Sequence, residues 1–249
     1  MSLESSTARI ELRLLGGFGL TVGGEPVEMT PAAQRLLAFV ALTPRGAERS
    51  YTAFQLWPEH DERRAKGNLR SALWRLGKAP AVLVTATKSH LRLGPAVWVD
   101  ARHGVDELAS GGLDSIVRAS LPFQALDSDL LPDWYDDWLM IERERLRQFR
   151  LGSLEEGARL ALERDDLPQA IQLGLAAISI DPLRESGHRL VIEAHLANGN
   201  HHDAVRQYQY CAQLLASRVG QPPSARLTSL IGGLIDGPVG TIQPALVAV

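Results

Sequence analysis

The sequence predicts a mostly α fold with a small β component, a winged helix-turn-helix followed by a tetratricopeptide-like all-α helical domain. Three observations carry this. Residues 30–99 hold three short helical patterns and then alternating apolar runs broken by polar turns. From residue 131 onward the pattern is nearly all helical, and part of it repeats with a period of 34. The halves also differ in charge: residues 1–110 hold 14 Lys+Arg against 11 Asp+Glu and residues 111–249 hold 12 against 18, so +3 stands against −6 in a chain of net −3.

A chain of 249 residues that is 45% hydrophobic and 22% charged can bury a core and fits one or two globular domains. No apolar run is long enough to span a bilayer, and the start MSLESSTARIE lacks the basic and apolar regions of a signal peptide. The single cysteine, Cys211, has no internal disulfide partner and no metal-ligand spacing, which fits a reducing, cytoplasmic setting. The expected division is a winged helix over 1–105, a helical domain over 106–236 and a flexible tail over 237–249.

Taken in order, RIELRLLGGFGLTV (9–22) gives two short strands, since Ile10, Leu12 and Leu14 alternate and glycines break the run. Gly16-Gly-Phe-Gly19 lacks the Lys-Ser/Thr of a phosphate loop and no helix follows it, so it punctuates strands. Residues 22–27 give a hairpin turn. Thr30-Pro31 starts a helix with a capping hydroxyl and proline at the first position, and Leu36, Leu37, Val40 and Ala41 form its apolar stripe up to Pro44-Arg-Gly46. Ser50 caps a second helix, Tyr51 to Trp57, ended by Pro58. A third runs from after His60-Asp61-Glu62 to about Lys78. Residues 82–86, the polar 87–90, then 91–93 and 97–99 give a two-stranded hairpin with a basic tip. Trp57 and Trp98 are expected in the core or at a domain contact.

The third helix carries the chemistry. From Arg63 to Val99 there are eight basic residues and no acidic one, a block of one sign that fits a polyanion. At 100° per residue, Ala65, Ala72, Leu73 and Leu76 fall within about 60° of Leu69, a stripe for the core. Arg64, Gly67, Ser71, Trp74 and Lys78 lie opposite, flanked by Arg63 and Arg70 on one side and Asn68 and Arg75 on the other. Small residues at the centre of an exposed face let a helix backbone enter a major groove, and Arg and Asn can address base edges bidentately. Arg64, Asn68, Ser71 and Arg75 are the expected groove residues, with Arg63, Lys66, Arg70 and Lys78 on phosphates. Lys88, His90 and Arg92 are expected on the wing, in the adjacent minor groove or on its backbone. Gly67 costs about 1 kcal/mol relative to Ala inside a helix, so a packing or docking reason is expected there, with a modest helix defect as the alternative. Trp74 has three open readings: stacking on sugar-phosphate, packing on the wing, or seating against the second domain.

In the C-terminal half, Asp133, Asp136 and Asp137 could suggest a metal or acid/base cluster, but in the first turns of a helix starting near Pro132 they favour the macrodipole. That helix continues through Ile141-Glu-Arg-Glu-Arg-Leu146 with a wet face. Ala170, Gly174 and Ala177 correspond at 34 residues to Ala204, Tyr208 and Cys211, as Asp165-Asp166 do to Gly199-Asn200. Small residues at helix crossings with this period are a tetratricopeptide pattern, and Cys211 is then a small buried residue. His188, His195, His201 and His202 do not make a metal set. No catalytic group, metal or cofactor is expected.

Leu56-Trp-Pro58, Asn68-Leu-Arg-Ser-Ala-Leu-Trp-Arg-Leu76, Asp133-Trp-Tyr-Asp-Asp-Trp138, Glu142-Arg-Glu-Arg-Leu146, Asp181-Pro-Leu-Arg-Glu185 and Leu215 through Pro223 resemble the SARP-type antibiotic regulatory proteins, which join a winged helix to a bacterial transcriptional activator domain. The resemblance spans about residues 9–235 and fits the short form, without an appended nucleotide-binding ATPase domain. Gly77 departs from it, standing where the family often has another basic residue. The resemblance implies a nucleoid-associated transcriptional activator that binds promoter direct repeats in double-stranded DNA as a dimer or tandem pair. It also implies contact with RNA polymerase holoenzyme including its sigma factor, often at antibiotic gene clusters. The residues themselves leave a second reading, a protein-interaction adaptor whose winged helix docks protein. An enzyme is the weakest reading, because no nucleophile, base and orienter converge in any motif.

Overall fold

A computed structural model describes residues 9–102 and 128–235. They form two compact units, 9–102 with 128–146 and 147–235. The expected tail over 237–249 and the expected boundary at 105/106 lie outside the described residues.

In the first unit, Ile10–Arg13 (β1) and Gly19–Val22 (β2) pair antiparallel with Ile10 opposite Val22. Glu25–Pro26 (β3) extends the sheet beyond β2. Ala47–Glu48 (β4), Val84–Ala86 (β5) and His90–Leu93 (β6) form a second sheet, in the order β4-β6-β5. Val97–Val99 (β7) returns to the first sheet and pairs parallel with β1, giving the order β3-β2-β1-β7. The expected two-stranded wing therefore gains β4 and loses 97–99. A parallel partner for β1 has to arrive by a long crossover, and the three helices between the sheets supply it.

Those helices are Pro31–Ala41 (α1), Arg49–Leu56 (α2) and Glu62–Leu76 (α3). Their apolar stripes meet in one core with Leu12, Leu36, Leu37, Leu56, Leu69 and Leu91, all 2% exposed or less. Two expected caps are corrected. Thr30 is the residue before α1, but its hydroxyl makes no capping bond, and Ala33 and Gln34 donate instead to its backbone carbonyl at 2.9 and 3.0 Å. Ser50 lies inside α2 rather than before it, because the helix starts as soon as β4 ends. Asp61 does cap α3, accepting from the Arg64 N–H at 2.8 Å.

Residues 128–146 belong to this same unit. Leu15 and Leu130 form a bridge, and the Leu131 N–H donates to the Leu14 carbonyl at 2.8 Å. Leu130, Leu131, Trp138 and Leu139 then sit in the core beside Leu12 and Leu36. The helix expected from Pro132 starts instead at Asp137 (Asp137–Glu163, α4). Of the three aspartates only Asp137 lies in its first turn, while the Asp136 carboxylate takes the Arg35 guanidinium, with Nε at 2.8 Å. The Arg143 guanidinium donates to the carbonyls of Leu130 (2.8 Å), Leu131 and Trp134 (2.8 Å), which fixes the turn ahead of α4.

The second unit holds the rest of α4 with Leu167–Ile180 (α5), Glu185–Ala197 (α6), His201–Arg218 (α7) and Ala225–Ile235 (α8). The repeat has a physical basis at most matched positions, Tyr208 being large and only half-buried where Gly174 is small and buried. Ala170, Gly174 and Ala177 are buried on α5, as are Ala204 and Cys211 on α7. Asp165 (φ 60°) and Gly199 (φ 73°), 34 apart, take the same left-handed conformation in the turns before α5 and α7. At Gly174 a Cβ would lie 2.6 Å from the Val191 side chain and 3.5 Å from the Gly187 carbonyl, so α5 and α6 cross too closely for a side chain there.

Candidate nucleic-acid interface

Helix α3 is held in the first unit by one face. Ala65, Leu69, Ala72 and Leu76 are buried and Leu73 packs partly buried against the same core. Arg63, Arg64, Arg70, Ser71, Trp74, Arg75 and Lys78 are exposed, and Lys66, Gly67 and Asn68 are half-buried. The expected groove and phosphate residues of α3 thus share one accessible side, with Lys78 just past the helix end. The Ser71 hydroxyl donates to the Gly67 carbonyl at 3.2 Å, an i−4 contact that folds the short side chain back onto the backbone.

Gly67 does not answer to packing. A Cβ there would meet only the tip of Arg70, at 3.7 Å, an ordinary contact. The fold would accept alanine at this position.

Positive charge is concentrated on this helix. In the second unit, several arginines are neutralised locally, Arg159 by Glu156 and Glu163, Arg184 by Glu155, Arg189 by Glu193 and Arg206 by Asp203, while Arg218 and Arg226 have no ion pair among the described residues. On α3, Arg63, Arg64, Arg70 and Arg75 make no salt bridge among the described residues. Lys66 is the exception, with its ammonium 2.5 Å from the Glu62 carboxylate, a contact that lowers the Glu62 pKa. Trp74 is 63% exposed rather than packed on the wing, and the Lys78 ammonium sits 3.6 Å from its ring centroid.

The wing is β5 and β6 with β4 at its side. Lys88, His90 and Arg92 are all exposed on it. Its tip is closed by hydrogen bonds between Thr87 and His90, the backbone N–H of Thr87 reaching the His90 carbonyl at 2.9 Å. The His90 ring lies 3.0 Å from the Ser89 hydroxyl. Gly46 (φ 81°) lets β4 close on β6: a Cβ would stand 2.8 Å from the Leu91 carbonyl and 2.7 Å from Arg92 Cγ. Sequence reasoning missed Arg49, whose backbone N–H donates to the Ser89 carbonyl at 2.8 Å and whose guanidinium reaches the Thr87 carbonyl at 3.4 Å. The signal available was one basic residue at the start of α2, but its tie to the wing needs β4, which two residues cannot announce.

Elsewhere, two ionisable groups are enclosed by the second unit. His188 is fully buried, its ring 2.9 Å from the Pro182 carbonyl and 2.8 Å from the Gln207 amide, and burial lowers its pKa. Cys211 is free and buried, its thiol pushed up to about 11 by desolvation. Among the described residues no group of three His, Cys, Asp or Glu is placed to hold a metal ion, and no helix is long and apolar enough to cross a membrane.

Residues 124–234 match the family model of the bacterial transcriptional activator domain. Among solved structures, the chain is similar to Mycobacterium tuberculosis EmbR in complex with a low-affinity phosphopeptide, at 21% identity and a TM-score of 0.62. The match covers 92% of this chain and 65% of that one, so this chain spans less than two thirds of the EmbR chain. At that identity the likeness shows the fold alone. No curated protein matches the chain.

Proposed function

Because the chain carries a bacterial transcriptional activator domain behind a winged helix, the arrangement of the SARP-type regulators, we propose that it is a sequence-specific DNA-binding transcriptional activator. One observation carries the reading: Arg63, Arg64, Arg70 and Arg75 all lie exposed on the one helix α3, and none of them has a carboxylate partner among the described residues. Unpaired surface cations on a helix with a small-residue centre suit a polyanion that condenses its own counterions, and their release drives association.

In this reading Arg64, Asn68, Ser71 and Arg75 enter the major groove, and Arg63, Arg70 and Lys78 hold phosphates. Lys66 contributes less, because Glu62 already compensates it. Lys88, His90 and Arg92 place the wing on the neighbouring minor groove or its backbone. The helical unit faces protein, with RNA polymerase holoenzyme including its sigma factor as the partner, and two chains sit as a dimer or tandem pair on direct repeats. The controlled genes belong to an antibiotic or other secondary-metabolite cluster, and the protein is cytoplasmic and nucleoid-associated. The proposed division by function is a DNA-binding head over 1–105 and an activator domain over 106–236, although 128–146 of the latter packs into the core of the head.

The test is binding of the full chain to genomic fragments over a range of salt, for the wild type and the Arg70→Ala/Arg75→Ala double variant. The variant is expected to bind more weakly and to lose about one unit of log–log salt slope per phosphate contact removed. Equal affinity and equal slope overturn the assignment of α3. A wild-type chain that retains no fragment at any salt supports the adaptor reading instead.

A further inference from the structure

The two lysines of the α3 region are held in opposite ways. Lys66 lies one turn after Glu62 and is ion-paired with it at 2.5 Å. Lys78 lies one turn after Trp74 and is held at 3.6 Å over its ring. A carboxylate cancels a lysine's charge. A ring face attracts the ammonium through its quadrupole but leaves the net charge intact. The first arrangement removes a cation from the field of the surface, and the second fixes a cation in place and leaves it available.

Position along the helix adds to this. Gly67, Ser71, Trp74 and Lys78 follow one another at spacings of four, three and four, so they form one stripe on the accessible side. The stripe is small at its first two positions and large at its last two. A helix with that profile cannot lie equally deep in a groove along its length. Its first half, at Gly67, can approach base edges, while the indole at Trp74 holds its second half out at the level of the sugar-phosphate wall. Trp74 is 63% exposed, an area that a tryptophan would bury in a core if it served the fold alone.

We propose that Trp74 and Lys78 form a preassembled backbone platform: the indole packs on deoxyribose at the groove edge and holds the Lys78 ammonium for the adjacent phosphate. The platform rests on the DNA-binding reading and deepens it, assigning the pair to affinity and register rather than to base choice. Trp74 acts as a positioning residue, and Lys78 as the phosphate ligand.

Four full-length variants test it: Trp74→Ala, Trp74→Phe, Lys78→Ala and Lys66→Ala. The probes are a random-sequence 30-base-pair duplex for affinity and salt slope, and selection from a randomised duplex library for sequence preference. Lys78→Ala is expected to flatten the log–log salt slope by about 0.9, the value for one lost phosphate contact, with Lys66→Ala flattening it by less than half as much. Trp74→Ala is expected to weaken binding several-fold at unchanged slope and to select the same sequence as the wild type, and Trp74→Phe to restore most of the affinity. A structural role for Trp74 would instead lower the melting temperature, which Trp74→Ala is expected to leave within about 2 °C of the wild type. A changed selected sequence in Trp74→Ala, or an unchanged slope in Lys78→Ala, overturns the platform while leaving DNA binding standing. A wild type without salt-dependent binding to either probe overturns the DNA reading and the platform with it.

Discussion

Gly67 shows how a single residue can separate folding from docking. Glycine inside a helix is worth about 1 kcal/mol less than alanine, and nothing in the fold requires it, since the nearest atom to an added Cβ is the flexible end of Arg70 at 3.7 Å. Gly67→Ala is therefore expected to stabilise the protein by about 1 kcal/mol in denaturant unfolding while weakening duplex binding. A variant that is more stable and binds as well as the wild type would show that no backbone approach occurs at this position. The sequence located Gly67 on the wet side of α3 but left its reason open between packing, docking and a modest helix defect. It left three roles for Trp74 in the same way. Both questions turned on neighbours in space, which helical periodicity does not list.

At the scale of elements, the helical repeat was the most legible feature, because its signal is local and periodic. A spacing of 34 between Ala170 and Ala204, and between Ala177 and Cys211, reports helix crossings that need small side chains. The tightest is at Gly174, where a Cβ would come within 2.6 Å of Val191. Gly174→Ala is expected to cost about 1–3 kcal/mol through overpacking, and Val191→Ala in the same chain is expected to recover part of that loss by clearing the contact. Additive losses in the double variant, measured by thermal unfolding, would mean that the crossing is not the cause. The wing was less legible than the repeat. Its third strand is the two residues of β4, too short for alternation to show, and 97–99 looked like part of the hairpin although it pairs with β1. Strand pairing is a long-range choice, and a three-residue apolar run is compatible with any open edge.

On the scale of the whole chain, the instructive segment is 128–146. Its sequence looks like the opening of the helical half, and the family match runs through it from residue 124. Its side chains nonetheless complete the core of the first unit, with Leu131 and Leu139 fully buried. The Arg35–Asp136 pair and the Arg143 bonds to the preceding carbonyls tie it down. A chain cut after residue 105 lacks these core residues and is expected to unfold at lower temperature and without a sharp transition, whereas one cut after residue 146 is expected to melt cooperatively. Equal melting of the two fragments would show that 128–146 adds nothing to the head.

The sequence by itself determined the fold class, the three helices with their buried faces, the 34-residue repeat and the basic side of α3. All of these are set by residue type at helical spacing within a few turns of chain. Only the tertiary structure decided where β4 and β7 pair, that Asp136 serves Arg35, that Lys66 is neutralised and Lys78 is not, and that 128–146 completes the head. Each of those depends on groups far apart in the chain meeting at a few ångströms, or on which of two side chains one turn apart takes a charge, and a linear pattern fixes neither.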